Sequence, residues 1–233
     1  MQRALAALLA TLVIVAGCGA AEEPEPAPAA NAWPAAELTP EPGFDLDDPA
    51  LQTIPDDKES ADKLIRRAGT RRDFKVPRDM LDGLEDGPLV RAVALRPFYE
   101  IIDPAGARRL NDGQRAVYSI YLADFEILNG GFAQLWENSS GSVAADLVAA
   151  AERIGSPELA AIFRAAAALW PGGRIPRDRD RREQLLYGID DGALADLDLR
   201  YAALQYRRKT ALAVVLAPYI RAHLDEFAYR PRA

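Results

Sequence analysis

From Ala116 to Leu128 the chain is apolar at every position except Ser119, Asp124 and Glu126. A helix that is apolar on all sides is usually a buried one, so this run sets the middle of the fold and puts Glu126 against protein. A buried carboxylate must be paired, hydrogen-bonded or protonated. Asn129-Gly130-Gly131 follows at once, and glycines let a chain turn sharply and expose backbone N–H groups. The sequence therefore asks for a carboxylate beside a helix break.

The surrounding pattern is helical. Asn111 and Gln114 have capping-box spacing ahead of the apolar run. A second helix is expected over 130–138, with Phe132, Leu135 and Trp136 on one face and Gln134 and Asn138, four apart, on another. A third is expected from Ser142 to Ile154, stopped by Gly155. Ser156-Pro157-Glu158 offers an N-cap serine, a first-turn proline and a dipole-favouring carboxylate. Asp180 is expected to cap a helix through Leu185, Leu186 and Ile189. Another carries Leu194, Leu197, Tyr201 and Leu204, and a last one reaches Phe227, bent or divided near Pro218. Upstream, Leu89 to Ile102 reads as a helix that Pro97 breaks or kinks. No strand-like alternation stands out. The expected fold is all-α, a compact multi-helix orthogonal bundle.

Glu126, Asn129, Gly130, Gly131, Phe132, Gln134, Asn138 and Gly141 form the pattern E-x-x-N-G-G-F-x-Q with a following Asn and Gly. This pattern resembles a helical domain family named after a bacterial DNA-mimic protein. Weaker similarity continues through Ile154-Gly155, Leu197-Asp198 and the segment Tyr219 to Phe227, so the resemblance covers about 86–228. It implies an all-helical fold and no defined activity.

The N-terminus reads as an export signal. Arg3 precedes an uncharged apolar run, Ala4 to Ala16, that is too short to span a bilayer. Val15-Ala16-Gly17-Cys18 resembles the lipobox of bacterial lipoproteins, which implies cleavage after residue 17 and a lipid on Cys18. Gly19 stands where such proteins carry an Asp for inner-membrane retention, so the resemblance points to the outer membrane. Cys18 is the only cysteine, which excludes an intramolecular disulfide. Residues 18–55 then form the lipidated Cys and a flexible tether rich in Pro, Ala and Glu. Residues 56–229 form the helical domain.

Net charge is −7, which disfavours nucleic acid and anionic lipid as direct ligands. Phe44 to Lys63 is acidic, and reads as a phosphate-mimicking strip or as a solvated linker with a short helix over Ser60–Ala68. The solvated reading is the expectation. The basic run Arg66–Lys75 is expected to pair with the acidic strip or to face water, and Arg174–Arg182 reads as an anion-binding loop or as a solvated run, the solvated reading being the expectation.

Catalytic patterns are sparse. His223 is the only histidine, sits near a helix C-terminus, and has no nucleophile elbow to serve. There is no HExxH, CxxC, P-loop or dinucleotide fingerprint, and no cofactor or metal is expected. Asp124 and Glu126 are two apart and point to different faces, a poor acid/base pair. The polar set Glu126, Asn129, Gln134 and Asn138 has two readings. Its members satisfy one another at the helix break, or they line a pocket for a partner's side chain or a ligand. The first is the expectation. The expected function is a lipid-anchored envelope protein with a non-catalytic helical domain that binds a protein partner. The alternatives are an acidic decoy for a DNA-binding protein and an envelope hydrolase using Glu126.

Overall fold

In the computed structural model, which describes residues 73–101, 104–207 and 212–230, the apolar run lies within one long helix. The chain enters through a two-residue strand β1 (Val76–Pro77) and a 3-10 turn (Arg78–Met80). Then come α1 (Asp86–Glu100), a 3-10 segment (Pro104–Arg109), α2 (Asp112–Glu137), a 3-10 segment (Ser139–Asp146), α3 (Leu147–Arg153) and α4 (Pro157–Ala168). A 3-10 turn (Pro171–Gly173), α5 (Arg179–Leu186), α6 (Asp191–Arg207), α7 (Ala213–Ala222), α8 (Leu224–Phe227) and β2 (Ala228–Tyr229) complete it. The signal, Cys18, the tether, the acidic strip and the Ser60–Ala68 helix lie outside the described residues.

The all-helical expectation holds, with one small exception. β1 and β2 pair in parallel, Val76 opposite Ala228 and Pro77 opposite Tyr229. Two residues are too few to show an alternating pattern in sequence. No helix among the described residues is long and apolar enough to cross a membrane.

Helix starts follow local chemistry. The Asn111 side chain accepts from Gln114 N at 2.8 Å, and Gln114 Oε1 accepts from Asn111 N at 3.1 Å, so the capping box forms as read. Ser156 stands at the head of α4 but makes no capping bond, and its buried hydroxyl has no partner. Pro157 opens that helix instead, since its fixed φ suits the first turn. Asp178, not Asp180, caps α5 by accepting from Arg181 N at 2.9 Å.

Three boundaries differ from the sequence reading. Pro97 lies inside α1 without ending it, because a proline removes one donor while its own carbonyl still accepts, here from Ile101 N at 2.9 Å. Pro218 likewise lies inside α7, and the division comes at His223, whose φ of −126° and ψ of 36° leave the helix. The helix expected from Ser142 starts only at Leu147, since Ser139–Asp146 winds as a 3-10 stretch.

The core is centred on α2. Phe132 sits edge-on to Tyr201 of α6 at 6.0 Å and to Phe163 of α4 at 6.5 Å, and packs on Trp136 at 5.6 Å. Trp136 meets Trp170 edge-on at 5.0 Å. All five rings are buried, and such pairs add about 0.5–1.5 kcal/mol each beyond the area they bury. A smaller cluster of Phe74, Ile101, Leu110, Tyr118 and Val143 lies beside it.

Candidate functional site

The α2 backbone leaves helical geometry at Gly130 (φ −162°, ψ 26°) and Gly131 (φ 76°, ψ −176°), then resumes. Residue 131 needs glycine twice over. Its φ is in the left-handed range that L side chains avoid, and a Cβ there would lie 2.5 Å from the Asp198 carboxylate. Asp198, on α6, accepts from Phe132 N at 2.8 Å and so caps the resumed segment. Burial raises the Asp198 carboxyl above the usual range, partly offset by that N–H.

Glu126 lies on the segment before the break and reaches across it. Its Oε2 accepts from Gln134 Nε2 at 2.9 Å and Asn138 Nδ2 at 2.8 Å, and its Oε1 accepts from the Ser140 hydroxyl at 2.5 Å. Glu126 is 8% exposed. The carboxylate thus ties together both sides of the break and the 3-10 stretch that follows.

Of the expected polar set, the structure brings together Glu126, Gln134 and Asn138. Asn129 is exposed and takes no part, and Ser140, which the sequence reading left out, completes the knot. Gly130 is exposed, and a Cβ on it would fall 2.2 Å from Gln134 Oε1. Gly141 matters for a different neighbour: a Cβ there would lie 2.4 Å from Leu135 O and 2.8 Å from Arg182 Nε.

Arg182 is the residue the sequence reading misplaced. It belongs to a run expected to face water, yet it is fully buried. Its Nε donates to Trp136 O at 2.8 Å and its Nη2 to Asn138 O at 2.7 Å, the open carbonyls at the end of α2. Its Nη1 donates to Pro176 O at 3.1 Å and Arg177 O at 2.6 Å. The planar five-donor guanidinium can satisfy carbonyls on two segments at once. Its other arginine neighbours do face water: Arg177 pairs with Asp146 and Arg179 with Glu183.

Asp124 faces the other way from Glu126, as the two-residue spacing requires. Its Oδ1 accepts from the Tyr201 hydroxyl at 2.7 Å and Gln205 Nε2 at 2.6 Å. Burial pushes its carboxyl up to about 7, against a smaller downward pull from Tyr201. Burial also drives the Tyr201 hydroxyl well above its ordinary value.

A further polar group caps the start of α2. Glu226 Oε2 accepts from Gly113 N at 2.8 Å, and Arg153 Nε donates to the Tyr219 hydroxyl at 2.9 Å beside it. His223 is exposed and stacks on Tyr219 at 4.2 Å, with Nδ1 2.9 Å from Tyr219 O. The only sequence signal for this cluster was the weak similarity of Tyr219 to Phe227.

Among the described residues no cluster of three or more His, Cys, Asp or Glu could hold a metal ion. Charge is unevenly spread. Residues 19–62 hold twelve carboxylates and one lysine, while residues 108–223 hold fourteen carboxylates and fifteen arginines and lysines.

Residues 108–223 match the family model described as DMP19-like protein, inside the 86–228 range of the resemblance. No curated protein and no solved structure matches the chain. The chain thus carries a helical DMP19-like domain.

Proposed function

We propose, from the DMP19-like domain at residues 108–223, that this chain is a lipid-anchored envelope protein that binds another protein without catalysis. The observation that carries this reading is the engagement of both Glu126 oxygens within the domain. Its two oxygens take three side-chain donors from the end of α2 and the 3-10 segment after it, so the motif acts as scaffold and recognition falls to the surface. A hydrolase using Glu126 would need that carboxylate open to substrate. The lipobox-like Val15-Ala-Gly-Cys18 supports the anchor, and Gly19 supports the outer membrane over the inner.

A second reading, an acidic decoy for a DNA-binding protein, has the net charge of −7 in its favour. The balanced charge of residues 108–223 weighs against it, because a phosphate-like surface would have to come from residues 19–62. The test is affinity capture from envelope fractions by the full chain. A second chain has Asp45, Asp47, Asp48, Asp56, Asp57, Glu59 and Asp62 changed to Asn or Gln. The same partner on both chains is the expected result. Capture of a DNA-binding protein that the neutralised chain loses would favour the decoy. For the anchor, Cys18→Ala should abolish lipid labelling and leave the chain soluble or unprocessed.

A further inference from the structure

Arginines from four separate segments meet around one open cleft of about 620 Å³. They are Arg108 from the 3-10 segment before α2, Arg115 from α2, Arg177 from the loop before α5, and Arg179 and Arg182 from α5. Asp146 is the single carboxylate on its wall. The partners of Arg115 and Arg179, Asp112 and Glu183, are not on the wall. Like charges converge at a cost unless something neutralises them. Here a locally positive cleft stands in an acidic chain.

Arg182 forms a fixed part of the wall. Its guanidinium is fully buried, has carbonyl partners and no carboxylate, and uses four of its five N–H groups on Trp136, Asn138, Pro176 and Arg177. Burial depresses its proton affinity and the nearby Arg179 charge adds to this, against smaller opposing pulls from Asp178 and Glu183. An anion in the cleft would relieve both effects. Ser119, Ser139 and Ser142 also line the cleft, and a hydroxyl can donate to a phosphoryl oxygen or accept from a ligand hydroxyl.

We propose that this cleft binds the phosphate group of a phosphorylated polyol. Donors reach it from several directions, which suits a tetrahedral dianion with three terminal oxygens better than a planar carboxylate. The apolar wall is only Ala107 and Val143, and no aromatic ring lines the cleft. Asp146 competes with the ligand, since it holds Arg177 through bonds of 2.8 and 2.5 Å. The same phosphomonoester is presented by a free sugar phosphate and, at a membrane surface, by phosphatidic acid.

The test is calorimetric titration of the full chain with inorganic phosphate, glycerol 3-phosphate and succinate. Co-sedimentation with vesicles containing phosphatidic acid, and with phosphatidylcholine vesicles as the control, runs beside it. Arg115→Gln and Arg179→Gln should each weaken glycerol 3-phosphate binding by about tenfold, the usual size of a charge-assisted hydrogen bond. Asp146→Asn should tighten it. Arg164→Gln removes the same charge from a surface pair with Glu152 outside the cleft, and should change nothing. Vesicle retention with the same arginine sensitivity would name the lipid headgroup as the source, because any lipid anchor contributes equally to every variant. The proposal is overturned by equal effects of Arg164→Gln and the cleft variants, by succinate binding as tightly as glycerol 3-phosphate, or by no binding of either phosphate or vesicles.

Discussion

Tyr201 donates its hydroxyl to Asp124 Oδ1 over 2.7 Å in the middle of the core, joining α6 to α2. Gln205, one turn further along α6, donates to the same oxygen. Asp198, one turn earlier, caps Phe132 N beyond the α2 break. Residues 198, 201 and 205 lie on one face of α6 by their spacing of three and four. One polar stripe therefore grips α2 on both sides of Gly130-Gly131. The segments before and after the break are thus held to one partner helix.

The Asp124 carboxyl predicts a pH dependence. It titrates near 3.8 when unfolded and near 7 when folded, raised chiefly by burial. Between those values the folded state holds a proton that the unfolded state has released. The stabilisation is therefore complete below about pH 4 and is lost as pH rises through about 7, by on the order of 4 kcal/mol. Asp124→Asn keeps a carbonyl oxygen for Tyr201 and Gln205 and cannot ionise. Urea melts from pH 4 to pH 8 should show a downward slope for the wild type that this variant largely removes.

Glu126→Ala leaves Gln134, Asn138 and Ser140 without their acceptor, and should cost about 1–3 kcal/mol. Glu126→Gln should cost less. One amide oxygen still serves Gln134 and Asn138, and the Ser140 hydroxyl can rotate to accept from the new NH2 group. Denaturant melts of the two variants beside affinity capture separate scaffold from binding site. Loss of capture in a fully stable Glu126→Ala would overturn the scaffold reading.

What the sequence revealed was chemistry spaced within a few turns. The Asn111–Gln114 box and the Gln134–Asn138 face are local, and both form. The opposite faces of Asp124 and Glu126 follow from helical period alone. What it hid was long-range. Arg182 reaches carbonyls 44 and 46 residues earlier in the chain, and nothing in a run of arginines marks which one turns inward. Ser156 has the right type and place for a cap, yet its hydroxyl makes no bond. The late start of α3 has a similar origin, since the chain from Asn138 to Gly141 packs against Arg182 in place of continuing a helix.

Three glycine-to-alanine changes should rank by their surroundings. Gly155 has a φ of 74° and open space around it, so its replacement should cost only the left-handed strain, about 1–2 kcal/mol. Gly141 has no such strain but would drive a methyl into Leu135 O and Arg182, at about 1–3 kcal/mol. Gly131 combines a glycine-only backbone with the Asp198 clash and should cost the most. Thermal melts give the order, and a Gly131→Ala no worse than Gly155→Ala would contradict the close approach of Asp198.

Arg182→Lys tests whether charge or shape holds α5 to the end of α2. A lysine keeps the charge, but its single nitrogen cannot reach the carbonyls of Trp136, Asn138, Pro176 and Arg177 together. At least two of these carbonyls would then lose their donor. A buried acceptor left open costs about 1–3 kcal/mol, so the variant should lose several kcal/mol despite the conserved charge. Arg182→Met removes the buried charge as well, and with it the burial penalty that depresses the guanidinium's proton affinity. If geometry dominates, the two variants should be destabilised to a similar degree. Trp136 and Trp170 are buried beside the contact and serve as fluorescence reporters in a guanidinium melt. A lysine variant as stable as the wild type would show that position 182 needs only a cation.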